Sequence, residues 1–328
     1  MGVALFTLGG TIAMAGHGPA RDGGTVVARL TGADLAAAVP GLAGVGVPLE
    51  AQDIEAVPSA QLTFARIHDL VRRASEAVRD GADGVVVTQG TDTLEETAFL
   101  ADLLWPHDEP FVMTGAMRNP TLAGPDGPAN LLAAAHVAVA PQARGLGAVV
   151  VLNDEIHAAR WVRKTHSAST RAFTSPNAGP IGSVHEGRVG VHAGVPRRKP
   201  VEVDAAALAD VRVGLHTVVL DDDPSMLNAD GCDGFVVAGF GVGHVPAPFA
   251  PVLGDLERRM PVVLASRTGA GPVLRSTYGA AGSETDLQRR GLINGGMLDP
   301  CKARVLLRVM LAAGADRDGV AAAFAERG

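Results

Sequence analysis

The sequence predicts two α/β domains, the second smaller than the first. Three observations carry this expectation. Short apolar runs alternate along the chain with longer amphipathic stretches, the pattern of strands layered against helices. The length of 328 residues suits two domains of ordinary size. A stretch rich in Pro, Gly and charge, GVHAGVPRRKPVEVD at 190–204, has no sustained period and divides the chain. The domains are accordingly placed at 1–189 and 212–328, with 190–211 as the linker.

Taken in order, residues 3–8 are a buried-strand run that ends at Gly9-Gly10-Thr11. Across 63–80, Ile67, Leu70, Val71, Ala74, Ala77 and Val78 recur at helical spacing with Arg and Glu elsewhere, and Gly81 stops the helix. Residues 84–88 are a second strand, followed by Gln89-Gly90 and a helix over 94–104. A third strand at 110–114 precedes a helix at 127–139, with Pro128 near its first turn, and 148–152 is a fourth strand. Beyond the linker, 217–220, 235–238 and 262–265 repeat the strand pattern, with helices near 250–260 and 300–313.

Composition removes several classes of function. Hydrophobic residues make up 47% and charged residues 19%, which is too apolar for a disordered chain. The net charge is −7 and the densest basic cluster is Arg197-Arg198-Lys199, so no nucleic-acid partner is expected. No run approaches about 18 apolar residues, so no membrane span is expected. The opening MGVALFTLGG has no basic n-region, and a cytoplasmic location follows as the expectation. Cys232 and Cys301 make neither a disulfide framework nor a zinc spacing. His17, His157, His166 and His185 show no ligand spacing either and read as surface or loop residues, so neither metal nor organic cofactor is expected. Only three residues are Lys (Lys164, Lys199 and Lys302) in a chain that otherwise uses Arg, which asks what each Lys does that Arg would not.

Two Thr-bearing turns directly follow predicted strands: Thr7-Leu8-Gly9-Gly10-Thr11 and Thr88-Gln89-Gly90-Thr91-Asp92-Thr93. Ligands of open α/β sheets bind beyond the carboxyl ends of strands, so both turns could face one crevice. Neither is a phosphate motif, since the glycine spacings of nucleotide-binding loops are absent. Helix capping by Thr11, Thr91 and Asp92 is the plainer alternative.

The wording of whole segments goes further. TQGTDTLEETAF at 88–99 and LGGTIA at 8–13, with GAMR at 115–118, DGPANL at 126–131, VLND at 151–154, AARWVRK at 158–164, SPNAGPIG at 175–182 and PCKARVLL at 300–307, resemble the bacterial type I/II L-asparaginase family, which includes glutaminase-asparaginases. The resemblance runs in order through nearly the full chain. It implies a larger N-terminal α/β domain with a mixed or parallel sheet, a smaller flavodoxin-like C-terminal domain, and a homotetramer of two intimate dimers. The activity it implies is hydrolysis of L-asparagine to L-aspartate and ammonia, without a cofactor. A primary amide is a poor electrophile, and a covalent route divides one hard step into two. By resemblance, Thr11 is the nucleophile that forms a β-aspartyl ester, Thr91 is the second catalytic Thr, and Lys164 polarises Thr91. A proton-accepting amine must be Lys, because Arg stays protonated. Asp92 matches the carboxylate that binds the substrate α-ammonium and supports the Thr91–Lys164 pair. Ser59 matches the serine for the α-carboxylate, and Glu284 the glutamate that reaches the α-ammonium from a neighbouring subunit.

Three positions depart from the family pattern. The loop AMAGHGPARDGGT at 13–25, whose Gly-rich part 16–24 reads as a lid, has no Tyr, and the position of the family's loop Tyr falls near Thr25. The sole Tyr, Tyr278, lies six residues before Glu284 and is the candidate for a partial substitute. Ala60 stands where a Gln usually follows the serine, and His244 replaces an Asn beside the substrate amino group. The alternatives are a dual glutaminase-asparaginase acting on L-glutamine as well, the amidase subunit of a tRNA-dependent amidotransferase, and a weakly active or non-catalytic aspartate-binding homologue.

Overall fold

The structure is a computed structural model that describes residues 2–15, 27–28 and 30–328. It divides into two compact units, Met1–Pro200 and Val201–Gly328. The 190–211 stretch read as linker contains the end of one strand and a short helix, Ala205–Asp210.

In the first unit the strands are β1 (Val3–Thr7), β2 (Met14–Ala15), β3 (Val27–Ala28), β4 (Leu49–Asp53), β5 (Gly84–Thr88), β6 (Phe111–Thr114), β7 (Ala148–Leu152), β8 (Glu155–Ala158), β9 (Arg163–Lys164), β10 (Phe173–Thr174), β11 (Gly182–His185) and β12 (Arg188–Val191). Eight of them form one sheet in the order β12-β11-β8-β7-β6-β5-β1-β4. Its β4-to-β7 part is parallel and its β7-to-β12 part antiparallel, so the sheet is mixed. β1, β5, β6 and β7 are buried at every residue, as parallel strands covered on both faces must be. The helices are α1 (Gly32–Ala37), α2 (Phe64–Arg79), α3 (Leu94–Leu104) and α4 (Gly127–Val139). α2 turns Ile67, Leu70, Val71 and Ala74 inward, and Leu131, Ala134 and Val137 of α4 join Leu5, Val86, Val112 and Val149 in one core. Asn153 and Asp154, both at positive φ (54° and 60°), make the two-residue turn between β7 and β8.

The second unit carries a parallel sheet, β13 (Val213–Thr217), β14 (Gly234–Gly239), β15 (Val262–Ser266) and β16 (Ile293–Asn294), in that order. Its helices are α5 (Ala205–Asp210), α6 (Phe249–Glu257), α7 (Glu284–Arg289), α8 (Pro300–Ala312) and α9 (Arg317–Arg327). The strand expected at 217–220 lies four residues earlier. The Asp222 carboxylate accepts from the Val219 N–H and bonds His216, turning the chain away, and Leu220 is left 91% exposed. Of that apolar run Val218 alone is buried in the core, and Val219 and Leu220 lie on the surface where the edge strand has ended.

In the large sheet β1 has β4 on one side and β5 on the other, so the direction of winding reverses between β1 and β5. Such a switch point opens a crevice at the carboxyl ends of its strands. Both Thr-bearing turns start there.

Candidate active site

β1 and β5 pair in parallel with Thr7 beside Thr88, and the Leu8 N–H donates to the Thr88 carbonyl at 2.9 Å. The register carries the two turns forward together. Gly9 and Gly10 follow at φ 81° and 87°, and a Cβ on Gly10 would lie 2.2 Å from the Gly90 nitrogen. The turns therefore lie backbone against backbone, at a distance that only glycine permits. A Cβ on Gly115, just past β6, would meet the Gln89 carbonyl at 2.6 Å and the Thr91 methyl at 3.2 Å. Single 3-10 turns, Thr11–Ala13 and Thr91–Thr93, then carry the two threonines; Thr11 is half-buried and Thr91 buried.

Lys164 arrives on the hairpin formed by β9 and β10. Its Nζ donates to Thr91 Oγ1 at 2.9 Å and to Asp92 Oδ1 at 2.6 Å. The Lys164 side chain is 16% exposed and that of Asp92 72%, so the pair runs from protein interior to solvent. The backbone N–H of Lys164 donates to the Glu95 carboxylate, on the first turn of α3. One short segment, 91–95, thereby holds both ends of this lysine. Glu95 carries no motif signal of its own and is marked by this contact alone.

Ser59 is buried, and among the described residues its Oγ has no hydrogen-bond partner. It sits where a Cβ on Gly90 would come within 3.0 Å, and its carbonyl accepts from Thr93 Oγ1 at 3.0 Å. An unpaired buried hydroxyl costs roughly 1–3 kcal/mol unless a ligand completes it. Ala60 and Gln61 are both exposed, and Ala60 brings no polar side-chain atom.

In the second unit, Glu284 is fully buried at the start of α7. Its Oε1 accepts from the Thr277 and Tyr278 N–H groups at 2.8 and 2.7 Å, and Oε2 lies 3.2 Å from His244 Nε2. Burial pushes this carboxyl up, but the backbone donors and His244 outweigh it and hold Glu284 below its ordinary value. The Tyr278 ring stands edge-on to His244, centroids 4.9 Å apart. His244, Tyr278 and Glu284 thus form one cluster, while Thr11, Thr91, Asp92, Lys164 and Ser59 belong to the first unit. The 16–24 segment and the position near Thr25 lie outside the described residues.

Comparison with known proteins fits this arrangement. The asparaginase N-terminal domain family matches residues 2–197, and the glutaminase/asparaginase C-terminal domain family matches residues 212–324. The chain belongs to the asparaginase family. It is 36% identical to a probable L-asparaginase of Deinococcus radiodurans, covering 99% of this chain and 97% of that one. It is 33% identical to an L-asparaginase of Bacillus licheniformis (94% and 95%) and 32% identical to a glutaminase-asparaginase of Pseudomonas aeruginosa (94% and 86%). The solved structure of a probable cytoplasmic L-asparaginase from Campylobacter jejuni is similar with a TM-score of 0.86 at 31% identity, covering 99% of both chains.

Several asparaginase motifs turn out to brace the crevice. The Asp126 carboxylate accepts from the Met117 and Arg118 N–H groups and from Asn130 Nδ2. Asn130 in turn donates to the Gly115 carbonyl and accepts from the Asn153 N–H. These contacts join GAMR, DGPANL and VLND into one network behind Thr91. Among the described residues no three His, Cys, Asp or Glu side chains are grouped to hold a metal, and no helix is long and apolar enough to cross a membrane.

One histidine departs from its expected place in this asparaginase. His157, read as a surface or loop residue, is 1% exposed on β8. Its Nδ1 lies 3.0 Å from Ser175 Oγ, and its Nε2 lies 3.2 Å from Glu155 Oε2 without the alignment of a full hydrogen bond. Ile156, His157 and Ala158 of β8 are all buried, so both faces of this strand are covered, which a spacing search for metal ligands does not detect.

Proposed function

We propose that this family member hydrolyses L-asparagine to L-aspartate and ammonia, with Thr11 as the nucleophile. The observation that carries the reading is Lys164 Nζ bridging Thr91 Oγ1 and Asp92 Oδ1 at the switch point of the sheet. Thr11 Oγ attacks the side-chain amide carbon, its proton passes to the departing nitrogen, and ammonia leaves a β-aspartyl ester. Water then adds to the ester carbon, with Thr91 and Lys164 taking its proton, and aspartate is released as the Thr11 hydroxyl re-forms. Ser59 supplies its buried hydroxyl to the α-carboxylate, and Asp92 faces the α-ammonium. Glu284 and His244 complete that ammonium site from a neighbouring subunit, with Tyr278 beside them as the candidate for the missing loop tyrosine. Ala60 contributes no side-chain hydrogen bond.

This reading makes the enzyme a homotetramer of two intimate dimers located in the cytoplasm. Its likeness to the Campylobacter jejuni protein, named as cytoplasmic, supports the location. A second reading, action on L-glutamine as well, is favoured by the likeness to a glutaminase-asparaginase. One added methylene changes binding by only about 1–3 kcal/mol. Ammonia release from L-asparagine and L-glutamine, with Thr11→Ala alongside, tests both. Release from asparagine that vanishes in Thr11→Ala is expected, and the glutamine rate decides the second reading. Aspartate binding without turnover would replace the proposal with a non-catalytic homologue.

A further inference from the structure

Lys164 is one of only two residues that β9 contributes to its hairpin, where Phe173 pairs with Lys164 and Thr174 with Arg163. Thr165 adds a bond from its N–H to the Ala172 carbonyl at 2.7 Å. A ladder that short does not hold itself in place in water. Lysine's four-carbon side chain is flexible, so the position of Nζ depends on where the backbone beneath it is fixed.

Glu95 holds the Lys164 N–H on one side, and two side chains of one strand supply an anchor for the other arm of the hairpin. Glu155 and His157 lie two residues apart on β8, so they share a face of the large sheet. Glu155 Oε1 accepts from Arg171 Nη2 at 3.1 Å, at the loop end of the hairpin. His157 Nδ1 meets Ser175 Oγ at 3.0 Å, immediately past β10, with both residues nearly excluded from solvent. Glu155 beside Nε2 favours the proton there, which leaves Nδ1 to accept from the Ser175 hydroxyl. A buried pair of this kind is costly to break, because each partner would be stranded without water.

We propose that His157, through Ser175, is a positioning residue that fixes the Lys164 hairpin against Thr91. The inference rests on the reading of Lys164 given above, since a tether matters to catalysis only if Lys164 does.

The scarcity of lysine makes the tether measurable. Protein labelled with nitrogen-15 at the lysine Nζ gives signals from Lys164, Lys199 and Lys302 alone, and Lys164→Arg identifies the one of interest. In Ser175→Ala the Lys164 signal is expected to move while the other two stay. kcat should fall about tenfold with KM changed by less than about twofold, because a displaced group costs transition-state stabilisation rather than ground-state binding. His157→Leu should reproduce the change, and His157→Asn, which keeps an acceptor near Nδ1, should restore the wild-type signal. If Ser175→Ala does not fold, His157→Leu is read in its place. A Lys164 signal that does not move overturns the tether, whatever happens to activity. Full activity in Lys164→Arg would instead overturn the reading of Lys164, and the signal would still decide whether the tether exists.

Discussion

Lys164 and Thr91 lie 73 residues apart in sequence, yet Lys164 Nζ is 2.9 Å from Thr91 Oγ1. Asp92, next along from Thr91, takes a second contact from the same nitrogen at 2.6 Å. A primary amine in this position can exchange a proton with the hydroxyl, whereas a guanidinium stays charged. Lys164→Arg is therefore expected to keep the fold and to lower kcat by about 10²–10⁴, the range for loss of general acid–base help. Steady-state kinetics with circular dichroism on the same sample check this.

Ser59 leads to a different outcome. Its hydroxyl is buried without a partner among the described residues, so Ser59→Ala removes a group that those residues leave unsatisfied in the free protein. Stability should hold or rise slightly. If the hydroxyl serves a substrate carboxylate, KM should rise about tenfold or more, matching a lost hydrogen bond to a charged group of roughly 1.5–3 kcal/mol. Thermal melts and KM for L-asparagine together check it; a large fall in melting temperature would mean that the hydroxyl has a structural partner instead.

What was legible beforehand divides by the kind of information each element carries. Strands β5 and β7 and helices α3 and α4 fall on the expected residues, because continuous apolar runs, helical spacing and Gly or Pro punctuation agree there. The hairpins from β8 to β12 were unforeseen, since strands of two to four residues with Glu, His, Arg and Lys carry no period of their own and exist through pairing, locally in the β9–β10 and β11–β12 hairpins and across 26 residues between β8 and β11 (Ile156 with Gly182). The misplaced strand at 217–220 shows the same limit, because β13 is an edge strand of mixed residues, VGLHT, with Leu215 and Thr217 exposed and no continuous apolar run. Thr91, Asp92 and Lys164 stood out through their motifs, and the structure brings the three together. Glu95 and His157 did not, because what marks them is a tertiary contact.

The crevice itself rests on Gly10. A methyl group there would meet the Gly90 nitrogen at 2.2 Å, on a residue already at φ 87°. Gly46 has nearly the same φ, 84°, but open space around its missing Cβ. Gly46→Ala should cost about 1–2 kcal/mol, the conformational term alone. Gly10→Ala should cost clearly more, about 3 kcal/mol or above, because the two turns must separate. Urea unfolding of both variants isolates the contact term, and equal losses would mean that the turns part easily.

Acidification should find His157. Burial holds its imidazole below the ordinary histidine value; Glu155 opposes that shift and Arg171 adds to it. As pH falls through the ordinary value of about 6.5, the unfolded chain takes up a proton that the folded chain refuses, so folding stability falls. The loss can reach about 1.4 kcal/mol per pH unit, until the folded imidazole titrates as well. His157→Asn has no such proton to bind. Going from about pH 8 to about pH 5, the stability of this variant should therefore gain on the wild type. Trp105 and Trp161, the only tryptophans, both lie in the first unit, so their fluorescence during urea unfolding reports the unit that contains His157. A stability difference that stays constant across that range would mean that His157 accepts its proton as readily folded as unfolded.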